Sequence, residues 1–156
     1  MNPDILAAIA AYLADAMGLS LASATGFRQV YVDYLPPANA DGSAVVPPFA
    51  MVAEGSESYT AQSDDPRTGF YLSNLDTGTA FIHFVAPTKA QARALCRTAV
   101  RLMSDSEATL EAGDGREITL LPLNSSPVPH AGTGPADEPA AFERILTIQY
   151  MQQFLE

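Results

Sequence analysis

Cysteine occurs once, at Cys96, so the chain has no internal disulfide and no zinc site built on several thiolates. Positive charge is scarce: eight Lys and Arg stand against eighteen Asp and Glu, a net charge of −10 with His neutral. A protein that binds nucleic acid over its whole surface carries the opposite sign, which sets that class aside. No stretch approaches the ~20 apolar residues of a membrane-spanning helix. The apolar run 5–12, followed by Leu21-Ala22-Ser23-Ala24, has the outline of a secretory signal. However, no Lys or Arg precedes it, and Asp4 and Asp15 bracket it. The expectation is an intracellular product with no membrane partner and with Cys96 reduced.

What is present fits one domain spanning residues 1–156. Hydrophobic residues make up 47% and charged residues 17%, enough apolar side chain for a core without disulfide or metal. Asn2-Pro3-Asp4 has the grammar of a helix start, with an N-capping Asn, Pro at the first helical position and Asp near the positive dipole end. Ile5, Leu6, Ile9, Tyr12, Leu13 and Met17 then recur at steps of three and four, and Gly18 is placed to end the helix. The period drops to two over 27–35, a strand stopped by Pro36-Pro37. A polar loop, a strand at 49–54, and a hairpin with arms 68–72 and 79–86 follow, the hairpin turning near Asp76-Thr77-Gly78. Thr88 caps a helix to about residue 104, whose apolar face is Ala92, Leu95, Cys96, Ala99, Leu102 and Met103. A strand at 117–123, a Pro-rich loop at 124–140 and a strand at 142–154 complete the chain. The expected class is α+β: a single domain with a mainly antiparallel β-sheet, two α-helices packed on one face and two long loops. The loops 36–47 and 124–140 read as contact arms.

Chemistry has few addresses. Asp76-Thr77-Gly78 matches the active-site tripeptide of aspartic proteases, in which two such loops bring together two carboxylates that share one proton. Asp and Gly also serve the dihedrals of an ordinary turn, and Thr79 stands where such enzymes carry Ala or Ser. His83 and His130 are 47 residues apart with no second His or Cys at ligand spacing, so they read as a strand-face and a loop side chain. Asp64-Asp65 reads as a solvated loop pair. No Gly-x-Ser-x-Gly elbow, phosphate loop or dinucleotide fingerprint occurs. No catalytic residue, cofactor or metal is expected.

Charge distribution is more informative. Lys89, Arg93, Arg97 and Arg101 fall at four-residue spacing on the second helix. Each step of four advances about 40°, so together they form a stripe roughly 120° wide, away from the apolar face. Segment 88–104 carries +4 and no acid, and the rest, with four basic and eighteen acidic residues, carries −14. A solvated helix face accounts for such a stripe. So does a seam, in which the stripe of one copy meets the acidic surface of the next and the contact closes into a ring. A stripe facing DNA fits less well, because the remainder repels phosphate.

Several segments together resemble a known family. They are Pro48-Phe49-Ala50-Met51-Val52-Ala53-Glu54, the arm Ala80-Phe81-Ile82-His83-Phe84-Val85-Ala86, the helix start Thr88-Lys89-Ala90-Gln91-Ala92 and the closing Phe142-Glu143-Arg144-Ile145-Leu146-Thr147-Ile148-Gln149-Tyr150. In element order and length the chain is similar to tail terminator and tail completion proteins of long-tailed bacteriophages. The resemblance implies a structural virion protein, made in the host cytoplasm, that forms a homo-hexameric ring at the head-proximal end of the tail. Its partners would be the tail tube protein and the head connector or neck protein, with DNA passing the lumen without specific binding. Lys89, Arg93, Arg97 and Arg101 would then lie at the subunit seam or on the tube-facing surface. The alternatives are a neck or other tail accessory protein, a dimeric aspartic-type protease using Asp76, and a free-standing binding module.

Overall fold

The first helix, α1 (Pro3–Met17), starts on the expected proline and buries Ile5, Leu6, Ile9 and Leu13 along one stripe. At its end Gly18 takes φ 67°, so that its N–H reaches the Asp15 carbonyl at 3.4 Å and the Leu19 N–H reaches the Ala14 carbonyl at 2.8 Å. This paired closure needs a left-handed residue, which is why glycine sits there. The computed structural model describes residues 3–19, 30–33, 35–36, 38–39, 42–60, 75–105, 109–111, 117–128 and 141–153.

Among the described residues six strands form one sheet: β1 (Val30–Val32), β2 (Phe49–Thr60), β3 (Leu75–Ala86), β4 (Thr109–Glu111), β5 (Glu117–Pro127) and β6 (Phe142–Gln153). Their spatial order is β1-β2-β3-β6-β5-β4. Only β1 and β2 run parallel, and every other neighbouring pair is antiparallel. Between β3 and β4 in the chain lies α2 (Lys89–Asp105), whose start is capped by the Thr88 hydroxyl accepting the Gln91 N–H at 3.2 Å.

The α+β class expected from the sequence is the class observed. Alternate residues of the central strands point to one face: Ala80, Ile82, Phe84 and Ala86 from β3, and Leu146, Ile148 and Tyr150 from β6. Against them pack α1, through Ile5, Ile9 and Leu13, and α2, through Cys96, Ala99 and Met103, in one continuous core. The α2 contribution is mostly small side chains, which let the helix backbone approach β3, β6 and β5. On the opposite face Met51, Phe81, Val85, Ile145, Thr147 and Gln149 are only partly buried, and no described helix covers them.

Several element boundaries differ from expectation, and for two long strands the cause is a bulge. The strand expected at 49–54 continues to Thr60, because Gly55 and Ser56 form a bulge opposite Thr79. The Ser56 N–H donates to Thr79 Oγ1 at 2.9 Å, and a side chain at Gly55 would collide with the Thr79 carbonyl. The strand expected at 117–123 runs to Pro127, with a bulge at Leu123 that resets its phase. The first four residues assigned to loop 124–140 are therefore ladder residues, and residues 129–140 lie outside the described set. The hairpin turn expected near Asp76-Thr77-Gly78 is not a turn. All three residues lie inside β3, paired with β2 on one side and β6 on the other. The other expected arm, 68–72, lies outside the described residues, as do 27–29 of the first strand; β4 was not foreseen.

The described part of loop 36–47 is anchored by Asn39, which is buried. Its Oδ1 accepts from the Tyr31 hydroxyl at 2.7 Å, and its Nδ2 donates to Ser43 Oγ at 3.0 Å and to the Ala44 carbonyl at 3.2 Å. Gly42, at φ 85°, closes the turn by donating to the Asn39 carbonyl at 2.9 Å. Beneath the loop, the Tyr31 and Phe49 rings meet edge to face at 5.7 Å.

Candidate assembly interface on the second helix

The helical wheel places the basic stripe correctly. Ala92, Cys96, Ala99 and Met103 are buried against the sheet, while Lys89, Arg93, Arg97 and Arg101 are exposed. Three of the four line one groove of about 600 Å³ between α2 and the β5–β6 side of the sheet: Arg93, Arg97 and Arg101, over a floor of Cys96 and Val100. Lys89 is set apart. Its Nζ lies 5.7 Å above the Phe142 ring, a cation–π contact, in a smaller adjoining recess.

The far wall of the groove is a residue that the stripe pattern does not contain. Arg144, from β6, lines the groove together with Ser125 of β5, and Arg144 Nε donates to Ser125 Oγ at 3.2 Å. The β5 bulge makes this possible. Before it, Ile118 and Leu120 face the core; after it, Ser125 stands opposite the buried Leu146 and so faces α2. Arg144 lies in phase with Leu146, Ile148 and Tyr150, whose side chains are buried. A guanidinium at the rim of a buried face extends along it to reach open solvent, and here that path ends in the groove. That in-phase Arg was the available sequence signal.

Four guanidiniums thus line one groove with no carboxylate among its described lining residues, while Glu143 lines the adjoining recess. Arg presents a planar fork of donors matched to carboxylate or phosphate, so the arrangement is built to receive anions with geometric selectivity. Five of the eight basic residues of the chain are gathered in the groove and its adjoining recess.

The remaining candidates are placed as follows. Asp76 is the second residue of β3 and pairs through its backbone with Tyr59 and Gln152, whereas a protease tripeptide presents its carboxylate from a loop. Gly78 and Thr79 have structural duties. A side chain at Gly78 would collide with the Tyr150 hydroxyl and the Ser56 carbonyl, and Thr79 holds the β2 bulge. His83 stands on the uncovered sheet face, where Nδ1 contacts the Glu143 carboxylate, a partner sequence reasoning missed. It is reached across strands, from Val85 opposite Glu143 and His83 opposite Ile145. His130 and Asp64-Asp65 lie outside the described residues. Among the described residues no group of three or more His, Cys, Asp or Glu side chains is arranged to hold a metal. Cys96 is buried beneath the groove. Among the described residues no helix is long and apolar enough to cross a membrane.

No protein-family model matches the chain, and no curated protein matches it.

Proposed function

We propose that the chain is a structural virion subunit of the tail-terminator type. Copies join head to tail into a ring, six-membered on the family pattern, that caps the tail tube at its head-proximal end. The ring stops tube polymerisation and presents a surface to the head connector. The observation that carries this reading is the segregation of charge. A cationic groove sits on one flank of α2, on a molecule whose remainder is strongly acidic. A surface of one sign on one side and of the other sign elsewhere favours a heterologous contact, in which unlike patches meet, over a self-complementary one. The α+β architecture supports the reading as the class that the resemblance implies. No chemistry is assigned to the chain, and DNA passes the ring without specific binding.

The test is native mass spectrometry of the purified chain over a concentration series, together with electron microscopy of tail tubes polymerised with and without it. The chain should form a discrete ring and end the tubes at a defined length. Arg93→Glu with Arg97→Glu should abolish both effects while leaving the circular dichroism spectrum unchanged. Tubes of uncontrolled length in the presence of the wild-type chain would overturn the terminator role.

A further inference from the structure

The acidic part of the molecule also has an address. Asp15 in the last turn of α1, Asp33 just beyond β1 and Glu54 in β2 are all exposed. The Asp33 N–H donates to the Val52 carbonyl at 2.8 Å, which fixes Asp33 beside β2 and near Glu54. Asp33 and Glu54 belong to the β1–β2 margin of the sheet, and Asp15 is carried by α1, which packs on β1 and β2 and also touches α2 and β4. The strand order β1-β2-β3-β6-β5-β4 puts that margin on one side and the β6–β5 pair, with Arg144 and Ser125, on the other. Each subunit therefore carries both halves of a complementary pair, with Asp33 and Glu54 separated from Arg144 by β3 in the sheet.

We propose that the groove of Arg93, Arg97, Arg101 and Arg144 is a carboxylate seat for the acidic β1–β2 margin of a second copy of this chain. The inference deepens the ring reading and rests on it only for closure into a ring. Four-residue steps along a helix space the guanidiniums by about 6 Å. The groove therefore offers several separate carboxylate seats along its length. Ser125 acts as a positioning residue, holding the Arg144 guanidinium against β5 so that its remaining donors face the groove. Phosphate is the competing ligand, but the −14 carried by the rest of the chain repels a polyanion and attracts nothing but cationic surface.

A charge-exchange experiment tests the seat. One variant reverses the groove, with Arg97→Glu and Arg144→Glu. The other reverses the margin, with Asp15→Lys and Glu54→Lys, sparing Asp33 because its φ of 68° suits few side chains. Sedimentation velocity should show each variant alone associating at least about tenfold more weakly than the wild type. An equimolar mixture should recover association, because the acidic groove of one then meets the basic margin of the other. Recovery on mixing also establishes that both variants are folded. Association untouched by either reversal, or no recovery on mixing, overturns the proposal, as does a wild-type chain that stays monomeric at every concentration. A 20-base-pair duplex that binds the wild type and is lost with Arg144→Glu would assign the groove to phosphate instead. Closed dimers or open filaments that obey the exchange pattern would keep the seat and defeat the ring.

Discussion

At the scale of single residues, the most constrained position is Gly78. It lies inside β3, paired on both sides, where a strand ordinarily gains from a β-branched side chain and loses from glycine. The Tyr150 ring of β6 occupies the space a Cβ would need, and the Ser56 carbonyl closes it from the other side. Gly78→Ala should therefore destabilise by about 1–3 kcal/mol through overpacking, read as a lower urea midpoint at unchanged m-value. The same two contacts explain why a sequence that spells Asp-Thr-Gly invites a catalytic interpretation. Within the tripeptide Gly78 is a real constraint, imposed by a neighbouring tyrosine and a bulge. Asn39 teaches the converse. It sits in a stretch whose composition says only loop, yet it satisfies its side-chain amide against Tyr31, Ser43 and Ala44. Nothing in the composition distinguishes it from the other polar residues around it.

At the scale of elements, the helices were legible and the long strands only half so. Both helices carry their burial as an unbroken 3.6-residue rhythm with a cap or a stop at the end, all of it local information. The strands β2 and β5 were cut short because each contains a bulge, and a bulge shifts the two-residue alternation by one. Past Leu123 the core-facing phase is occupied by Ser125, so the hydrophobic signal ends while the ladder continues. The groove inherits this blindness. Its α2 side was readable from four-residue spacing, whereas Ser125 and Arg144 come together only through pairing between strands. α2 itself makes the element-scale prediction. Ala99 is almost fully buried where the helix meets the sheet, so Ala99→Leu should lift α2 from β3 and β6. The expected loss is about 1–3 kcal/mol, and the Arg144–Ser125 side of the groove should widen. Thermal unfolding followed by circular dichroism checks the first, and a crystal structure of the variant checks the second.

At the scale of the whole molecule, two surfaces compete as the place where copies would meet in the proposed assembly. One is the charged pair of groove and margin; the other is the uncovered sheet face with Met51, Phe81, Val85 and Ile145. Salt separates them. The screening length falls from about 10 Å at 0.1 M to about 3 Å at 1 M ionic strength, which weakens exposed charge pairs and leaves or strengthens apolar contact. Self-association through the groove should therefore weaken steadily as sodium chloride is raised over that range, as followed by sedimentation velocity. An assembly indifferent to salt, or tightened by it, would move the contact to the open sheet face.

The position of β6 has a consequence in time. This strand comes late in the chain yet sits at the middle of the sheet, bridging β3 and β5. A nascent chain halted before residue 142 holds two separate pieces, β1-β2-β3 and β5-β4, each with a long edge and no partner for it. The β3–β6 pairing that joins them links Leu75 to Gln153 and Ala86 to Phe142, far apart in the chain, the kind of non-local closure that comes slowly. Arg144 arrives on the same strand, so the groove is completed by the event that completes the core. A chain thus acquires its full cationic groove only when its core is complete, and on the proposed ring reading an unfinished copy would be left out.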